Sequence, residues 1–527
     1  MTSEKKKNYN VFNKDTILVV DFGSQYTQLI ARRIREEGVF CSIIPFNKAD
    51  EFLSVNNTKA IILSGGPASV LENQPPKLSE RIMKSGKPIL GICYGQQAMV
   101  QYLGGEVVSG TYSEFGKAKI KVLGSCLFTK EVWKEGGDYQ VWMSHGDTVN
   151  TIPKGFSVIA KTDGAKFALI ANETSKMYGL QFHPEVIHTL EGKKLLRNFV
   201  KNIAKCNSNW SMKSFSKYKI DILKSEIGTS RVLCGLSGGV DSSVTAALLD
   251  KAIGKQLVCV FVNHGLLREG ESSEITKIFK ERLGNRFINV DASDMFLNAL
   301  RQIKDPEEKR KIIGKKFIEV FELEANKLGN IEYLAQGTLY PDVIESISFS
   351  GGPSATIKSH HNVGGLPEKM NLKLVEPLRE LFKDEVRELG KDLGLPDYII
   401  GRHPFPGPGL AIRIPGIVNK NYIDILKKAD SIFINEIKNA GLYDKIWQAF
   451  CVLLPVKSVG VMGDARSYDN ALVLRAVTSV DGMTAEIFPF ENSFLSSVAT
   501  RIVNEVKGIN RVTYDVTSKP PGTIEWE

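Results

Sequence analysis

The feature of this sequence that most constrains its fold is a strand that passes through a glycine-containing turn into a helix, a pattern found at two places. In the first, the apolar run PILGI at 88–92 leads through CYG into QQAMVQYL. In the second, VLCGL at 232–236 leads through SGGVDSS into VTAALLDKAI. Strands that alternate with helices form parallel sheets covered on both faces. The sequence therefore predicts an α/β protein.

Two breaks in composition divide the chain. The polar stretch at 205–219 predicts a linker, and the cluster PFPGPG at 404–409 predicts a second boundary. Residues 349–365, rich in Ser, Gly, His and Lys, predict a long mobile loop. The expected domains are a basic tail at 1–14, a first domain at 15–207, a second at 208–405 and a third at 406–527.

The fold class follows from the apolar patterns within these domains. The first two are expected to be doubly wound, mainly parallel-sheet domains, because their short apolar runs alternate with helical stretches. In the third, residues 422–437 carry one apolar helical face and residues 511–516 alternate in polarity. We therefore expect a smaller α+β C-terminal domain of helices and antiparallel strands.

Composition narrows the class of protein. No apolar run approaches the ~20 residues that span a bilayer. Seven cysteines without a CxxC pair favour reduced thiols, so we expect a cytoplasmic protein. The net charge of +9 leaves two interpretations open: weak binding of polyanions, or pockets for small phosphorylated substrates.

The first turn has the pattern of a nucleophile elbow with cysteine as the nucleophile. Glycines on both sides of Cys93 permit a sharp turn from strand to helix. The thiol then lies at a helix N-terminus, where the helix dipole favours the thiolate. Candidate oxyanion donors are the backbone N–H groups of Tyr94 and of Gly65 and Gly66 in the turn SGGP.

A cysteine nucleophile needs a histidine base, and the chain offers two candidates. His183 and Glu185 are two residues apart at the end of a predicted strand, so their side chains project to the same side and Glu185 can orient the imidazole. His145 is the alternative. A lone cysteine is more often a buried packing residue, and only the combination of elbow, glycine turn and His-x-Glu favours catalysis.

As a set, these motifs resemble the class I glutamine amidotransferases across residues 15–205. The resemblance implies that Cys93 forms a glutamyl thioester, that His183 transfers the proton and that Glu185 orients His183. The residues that it implies for the oxyanion and for glutamine are Gly65, Gly66, Tyr94, Gln97, Ser144 and His145.

The second turn has the pattern of a phosphate-binding loop without a lysine. Ser237-Gly238-Gly239-Val240-Asp241-Ser242-Ser243 lies between a strand and a helix, where amides and hydroxyls can cradle phosphates. A kinase-type loop carries GxxxxGK[ST], so this pattern instead resembles the ATP pyrophosphatase loop. Asp241 is the candidate Mg²⁺ ligand, because carboxylate oxygens suit that ion. A bare SGG is common in turns, and the strand, the helix and DSS together favour the nucleotide site.

A glutaminase followed by an adenylating domain resembles the family of glutamine-hydrolysing GMP synthetases, from about residue 15 to the C-terminus. The most specific motifs are GICYGQQ, QFHPEV, LSGGVDSSV, AQGTLYPDVIES, IKSHHNVGGLP, RHPFPGPGLAIR and KPPGTIEWE. The resemblance implies that XMP, ATP, glutamine and water give GMP, AMP, pyrophosphate and glutamate through adenyl-XMP, with Mg²⁺. It also implies a homodimer formed by the C-terminal domain. The positive charge then serves ATP and XMP, and neither a nucleic acid nor a membrane is expected as a partner.

The resemblance assigns further residues by their place in these motifs. Lys383 is expected to contact the pyrophosphate. The expected lid and coupling residues are Asp342, Glu345, Lys358, His360 and His361. The expected XMP residues are Arg310, Gln448, Arg511, Lys519, Ile524 and Glu525. For any one of these cations, a solvated surface position is the more common alternative.

Two other functions stay open at this point. One is another amidotransferase of the pyrophosphatase-loop group, such as a tRNA-thiolating or NAD-forming enzyme. The other is a basic nucleic-acid-binding protein, which only the net charge favours. One residue also departs from the family pattern. Asn263 stands where the family usually carries Asp, so this position keeps an acceptor oxygen and loses a charge.

Overall fold

A computed structural model describes residues 15–55, 57–345, 372–462, 465–479 and 484–527. Within these ranges, the residues up to Phe215 form one compact unit and those from Ser216 onward form another. The finer domain limits expected at residues 207 and 405 stay predictions. The predicted tail at 1–14 and the predicted loop at 349–365 lie outside the described residues.

The first unit is built on one mixed sheet. Its strands are β1 (Thr16–Asp21), β2 (Phe40–Pro45), β3 (Thr58–Leu63), β4 (Ile89–Ile92), β5 (Glu106–Val122), β6 (Asp138–Thr151), β7 (Ser157–Lys161), β8 (Leu169–Asn172) and β9 (Met177–Leu180). They are ordered β2-β1-β3-β4-β9-β8-β7-β5-β6. Neighbours are parallel from β2 to β9 and antiparallel from β9 to β6. The parallel part confirms the predicted fold class, and its strands are almost fully buried because helices cover such sheets on both faces.

A helix follows each of the five parallel strands of this sheet. They are α1 (Thr27–Glu36), α2 (Ala49–Val55), α3 (Glu80–Met83), α4 (Tyr94–Tyr102) and α5 (Gly192–Arg197), which a π-helical turn over Asn198–Ile203 continues. The next helix is α6 (Met212–Ile227). The predicted linker at 205–219 is therefore wrong from Met212 onward. Its polar composition hid the buried side chains of Met212 and Phe215, which recur at helical spacing with Leu223 and Ile227 beyond it.

The second unit contains a five-stranded, all-parallel sheet. Its strands are β10 (Arg231–Leu236), β11 (Leu257–Asn263), β12 (Phe287–Asp291), β13 (Ile331–Ala335) and β14 (Lys373–Val375), in the order β12-β11-β10-β13-β14. The helices are α7 (Val240–Ile253), α8 (Glu271–Leu283), α9 (Ser293–Ala299), α10 (Pro306–Leu328), α11 (Tyr340–Glu345), α12 (Lys383–Asp392) and α13 (Asp397–Ile400). The order reverses beside β10, and in such sheets ligands bind at the carboxyl ends of the strands next to the reversal. The loop 237–243 leaves β10 at that end.

A second sheet completes this unit. It contains β15 (Gln448–Met462), β16 (Ala465–Thr478), β17 (Glu486–Ile487) and β18 (Ile509–Tyr514), with the helices α14 (Lys420–Asn439) and α15 (Asn492–Glu505). The expectation of antiparallel strands holds for β15, β16 and β17 and is wrong for β18, which pairs with β16 in parallel. One hydrophobic core joins both sheets, since Leu233 and Val260 belong to the same cluster as Leu426, Phe433 and Leu472.

The cysteines and the helix lengths bear on the class of protein. All seven cysteines lie in the described ranges, and each is a buried free thiol. Of the helices described above, none combines the length and the apolar character needed to cross a membrane.

Candidate functional sites

Cys93 lies in a strained turn between β4 and α4. Its φ of 51° and ψ of −109° form a conformation that residues other than glycine rarely adopt. The neighbouring glycines make it possible. A Cβ on Gly91 would lie 2.7 Å from the backbone of Gly95, and a Cβ on Gly95 would lie 2.7 Å from the carbonyl carbon of Leu63. The turn therefore requires both glycines, and it sets the thiol at the N-terminal end of α4.

Of the two candidate histidines, the structure brings His183 to the thiol. Its Nδ1 lies 2.7 Å from Oε1 of Glu185, and both side chains are buried. Burial by itself lowers the pKa of His183. The charge of Glu185 and hydrogen bonds to Cys93 and Glu185 outweigh burial and raise that pKa well above its usual value. Because Nδ1 is bound to Glu185, Nε2 is left to exchange a proton with Cys93.

His145 has other partners at both of its ring nitrogens. Nδ1 lies 3.0 Å from the carbonyl oxygen of Asp147, and Nε2 lies 3.2 Å from Oε2 of Glu114. Burial raises the pKa of Glu114, but hydrogen bonds from His145 and Thr162 leave it below its usual value. The ring of His145 therefore bonds to the backbone of β6 and to Glu114 on β5, and not to the sulfur of Cys93.

Buried amide groups surround the thiol. The sulfur of Cys93 lies 3.5 Å from the carbonyl oxygen of Ser144 and 3.8 Å from Nε2 of Gln181. Gln97 donates to Oε1 of Gln181 at 3.3 Å and to the carbonyl oxygen of Asp147 at 2.9 Å. Gln97 therefore uses its N–H groups within the protein, and Gln181 is the side chain that reaches the sulfur. The sequence pointed to the motif QFHPEV only for its histidine and glutamate, and so missed Gln181.

The predicted oxyanion donors lie around the same turn. Tyr94 is the first residue of α4, and the first N–H groups of a helix have no partner inside it. The side chain of Tyr94 is buried, and its hydroxyl donates to the carbonyl oxygen of Pro76 at 2.7 Å. The backbone N–H of Tyr94 is therefore the group that can donate to an oxyanion. A Cβ on Gly65 would lie 3.2 Å from Cε1 of His183. The turn of Gly65 and Gly66 therefore borders the imidazole.

The loop 237–243 joins β10 to α7 and is shaped by its own hydroxyls. Gly238 has a φ of +76°, and a Cβ there would overlap the side chain of Ile275. The N–H of Ser237 donates to the hydroxyl of Ser242 at 3.1 Å, and the two hydroxyl oxygens are 2.9 Å apart. These bonds hold the loop around the N-terminus of α7, where helix N–H groups attract anions.

Two cations approach this loop from other parts of the second unit. Lys383, the first residue of α12, places Nζ 2.6 Å from both carboxylate oxygens of Asp241. Arg402 donates from Nη1 to the carbonyl oxygen of Gly238 at 2.9 Å and also pairs with Glu271. The sequence singled out Lys383 and missed Arg402, whose motif RHPFPGPG was noted without a role for its arginine.

Asn263 ends β11 beside a carboxylate. Its Nδ2 donates to Oδ2 of Asp291 at 3.4 Å, and its Oδ1 accepts from the N–H of Gly265 at 3.2 Å. Hydrogen bonds from Ser293, with a smaller contribution from Asn263, lower the pKa of Asp291. The amide of Asn263 can donate to Asp291, whereas an ionised Asp there would repel it.

Three of the predicted XMP residues lie together. Gln448 donates from Nε2 to Oε1 of Glu525 at 2.6 Å. Arg413, which the sequence did not single out, forks onto the same carboxylate, with Nη2 2.9 Å from Oε1 and Nε 3.2 Å from Oε2. Ile524 is buried in a cluster with Phe450. These contacts connect the C-terminal tail to β15.

The other predicted XMP residues have separate surroundings. Arg310 donates to a backbone oxygen of Glu527. Lys519 exchanges backbone hydrogen bonds with Ala485 at 2.8 and 3.0 Å. Arg511 is exposed on β18. The structure therefore brings Gln448, Ile524 and Glu525 to one place, and the charge of Glu525 also acts on Arg310.

The predicted lid and coupling residues are described only in part. Asp342 accepts from the N–H of Leu339 at 2.9 Å at the start of α11, and Glu345 is the last residue of that helix. Lys358, His360 and His361 lie outside the described residues.

Comparison with known proteins covers nearly the whole chain. Residues 18–203 match the family "Glutamine amidotransferase class-I", residues 216–317 match "NAD synthase" and residues 435–526 match "GMP synthase C terminal domain". The chain is 59% identical over 513 residues to a protein named "GMP synthase [glutamine-hydrolyzing]" from Rhodopseudomonas palustris, which covers 97% of this chain and 95% of that protein. A protein of the same name from Zymomonas mobilis is 61% identical over 514 residues, covering 97% and 98%.

Proposed function

Because the chain belongs to the family of glutamine-hydrolysing GMP synthases, we propose a role for each of its sites in the amination of XMP to GMP. The enzyme is a ligase that converts XMP, ATP, glutamine and water into GMP, AMP, pyrophosphate and glutamate. The observation that carries the proposed roles is the buried set of Cys93, His183 and Glu185 at the N-terminus of α4.

At the first site, His183 takes the proton of the Cys93 thiol, and the thiolate attacks the carboxamide carbon of glutamine. The N–H groups of Tyr94 and of the glycine turn at 65–66 stabilise the resulting oxyanion. His183 then returns the proton to the departing nitrogen, so that ammonia leaves and a glutamyl thioester remains. Water hydrolyses the thioester to glutamate and free thiol. The contact of Glu185 with Nδ1, and the raised pKa of His183, support these proton transfers.

The glutamine pocket is proposed along β6 and α4. Ser144 lies beside the sulfur through its carbonyl oxygen, so this part of β6 is proposed to receive the amino acid. Gln97 and His145 both contact the carbonyl oxygen of Asp147. They are therefore proposed to fix the backbone of β6 that lines this pocket.

At the second site, the loop 237–243 is proposed to bind the β- and γ-phosphates of ATP. An oxygen of XMP attacks the α-phosphate, the bond to the bridging oxygen breaks, and pyrophosphate leaves. Ammonia then displaces AMP from adenyl-XMP. Lys383 lies at the loop and supplies positive charge for the departing pyrophosphate.

Mg²⁺ is proposed to accompany ATP at Asp241. The carboxylate of Asp241 is a hard oxygen donor beside a loop of serine hydroxyls, and its side chain is 31% exposed, so it can supply one ligand while phosphates and water supply the rest. When bound, Mg²⁺ neutralises charge on the leaving pyrophosphate. Lys383 shares this carboxylate and remains available to the phosphate oxygens next to it.

For XMP, we propose that Gln448, Ile524 and Glu525 contact the base. A carboxylate accepts hydrogen bonds from purine N–H groups, and the network around Glu525 supports this role. The residues proposed for the phosphate are Arg310, Arg511 and Lys519. Arg310 presents its guanidinium to a backbone oxygen of Glu527, and a phosphate oxygen would offer it a charged acceptor. The residues proposed for coupling and for the lid are Asp342, Glu345, Lys358, His360 and His361.

A homodimer and a cytoplasmic location complete the proposal. Val456, Val459, Val461 and Tyr468 are 62, 55, 76 and 60% exposed on the hairpin of β15 and β16, and an exposed apolar patch of this kind favours a partner surface. Sedimentation of the full chain, with Val461→Glu as the disrupting variant, tests the dimer. Seven free thiols support a reducing compartment.

The test of the function is a steady-state assay with XMP, Mg-ATP and either glutamine or ammonium. We expect one AMP and one pyrophosphate for each GMP from either nitrogen source. The match of residues 216–317 to "NAD synthase" makes deamido-NAD the appropriate competing substrate. Amination of deamido-NAD in preference to XMP, or release of orthophosphate in place of pyrophosphate, would contradict the proposal.

A further inference from the structure

Arg413 is an arginine buried in an aromatic setting. Its side chain is 0% exposed, and its guanidinium lies 5.0 Å from the ring centre of Phe405 and 4.2 Å from that of Phe450. Removing a charge from water is costly unless a partner compensates it, and a buried ion pair is often no more stabilising than apolar side chains of the same volume. Stability alone therefore does not explain an arginine at this position.

The hydrogen bonds of Arg413 within the described residues go to one carboxylate. Nη2 and Nε contact the two oxygens of Glu525 at 2.9 and 3.2 Å, which is a bidentate arrangement. Gln448 donates to Oε1 of the same carboxylate at 2.6 Å. The side chain of Glu525 remains 18% exposed, so it is held from one side and open on another.

Other buried cations already hold the residues on either side of Glu525. Arg475, which is 0% exposed, donates to the carbonyl oxygens of Thr523 at 3.1 Å and Ile524 at 3.4 Å. Lys309, also 0% exposed, pairs with Glu527. These contacts anchor the tail without Arg413, whose hydrogen bonds within the described residues go to the Glu525 carboxylate.

We propose that Arg413 is a positioning residue for the XMP site, which fixes the place and orientation of the Glu525 carboxylate so that it can accept N–H groups of the purine. This inference rests on the proposed role of Glu525. The charge state of the Arg413–Glu525 pair is consistent with this role. Burial lowers the pKa of Arg413, but Glu525 more than reverses that effect and raises it, so the guanidinium stays charged.

The test is a double-mutant cycle on KM for XMP, with Arg413→Met, Glu525→Gln and the two combined. We expect Arg413→Met alone to raise this KM by about tenfold or more, with kcat and KM for ATP changed by less than about threefold. In the Glu525→Gln background the same substitution should add less than about twofold, because the carboxylate through which Arg413 acts is gone. Arg501→Met, which removes an arginine from surface pairs with Glu436 and Glu505, is the control.

The outcomes separate three accounts. If the two single effects multiply in the double variant, or if KM for ATP rises in parallel with KM for XMP, Arg413 serves the fold and the inference is overturned. If Glu525→Gln leaves KM for XMP unchanged, the proposed role of Glu525 itself fails. If Glu525→Gln raises it and Arg413→Met does not, only the role of Arg413 fails.

A second variant keeps the inference testable if Arg413→Met does not fold. Arg413→Lys retains the charge and loses the bidentate contact with Glu525. We therefore expect a KM for XMP between those of the wild type and Arg413→Met. Melting temperatures of all variants show which are folded. If both Arg413 variants are unfolded, Arg413 is a structural residue and the inference is overturned.

Discussion

The centre around Cys93 and the nucleotide region of the second unit arrange their charges differently. Around Cys93, the side chains proposed to react are buried, and His183 is already bound to Glu185. In the second unit, cations are paired with acids of the same chain, as Lys383 is with Asp241. The carboxamide of glutamine is neutral, so the site that binds this group needs no charged side chain to balance it. ATP and XMP are polyanions, and the cations proposed to bind them need a partner when no nucleotide is bound.

The largest effect that this contrast predicts is at His183, the histidine proposed to transfer the proton. His183→Ala should lower glutamine-driven GMP synthesis by about 10³-fold, because general acid–base catalysis is lost, and leave ammonia-driven synthesis unchanged. Both rates are measured by GMP formation at saturating XMP and ATP. His188→Ala, an exposed histidine stacked on Trp142 in the same segment, is the matched control and should retain both activities. Loss of ammonia-driven synthesis in His183→Ala would show that the two regions are not separable in this way.

At the nucleotide region, removal of one cation should lower the rate of GMP synthesis equally with glutamine and with ammonium. Lys383→Met should lower GMP synthesis by about 10²-fold with either glutamine or ammonium, because charge on the departing pyrophosphate loses a stabilising partner. The measurement is pyrophosphate release. Arg379→Met, which removes a half-exposed cation paired with Glu376, is the control. A defect confined to glutamine would contradict the placement of Lys383 at the ATP site.

The buried pair at the glutaminase centre should also give a pH-dependent stability. The folded-state pKa of His183 lies well above 6.5, so the pair contributes fully below about pH 6.5 and its contribution is lost as the pH rises through the raised value. The difference in free energy of unfolding between the wild type and Glu185→Gln should therefore be largest below about pH 6.5 and shrink as the pH rises. Urea unfolding at several pH values measures this difference. A difference that grows with pH would mean that folding lowers the pKa of His183 instead of raising it.

The smallest effect is expected at the position that departs from the family. Asn263→Asp places a second carboxylate beside Asp291, which Asn263 now contacts at 3.4 Å. The two carboxylates lie at the solvent-accessible end of β11 and β12, so water screens their repulsion, and KM for ATP should change by less than about threefold. A tenfold change would make Asn263 part of the nucleotide site.

Local patterns carried most of the predicted fold, and long-range contacts account for what was missed. The strands β1 to β4 and β10, and the turns at Cys93 and Gly238, were predictable because strand, glycine turn and helix are all encoded within about ten residues. The parallel pairing of β18 with β16 was not, because it depends on a connection through α15. Gln181, Arg402 and Arg413 were missed for the same reason, since each acts on a residue far away in the sequence. Their residue types also occur throughout protein surfaces.

The central claim is that Cys93 serves only the supply of ammonia. It is tested by comparing Cys93→Ala with the wild type in two assays, GMP formation from glutamine and GMP formation from added ammonium. Cys126→Ala, a buried cysteine hydrogen-bonded to Thr129, controls for the loss of a buried thiol. We expect no measurable glutamine-driven synthesis and a wild-type rate with ammonium. Equal loss of both activities in a folded Cys93→Ala protein would contradict the account.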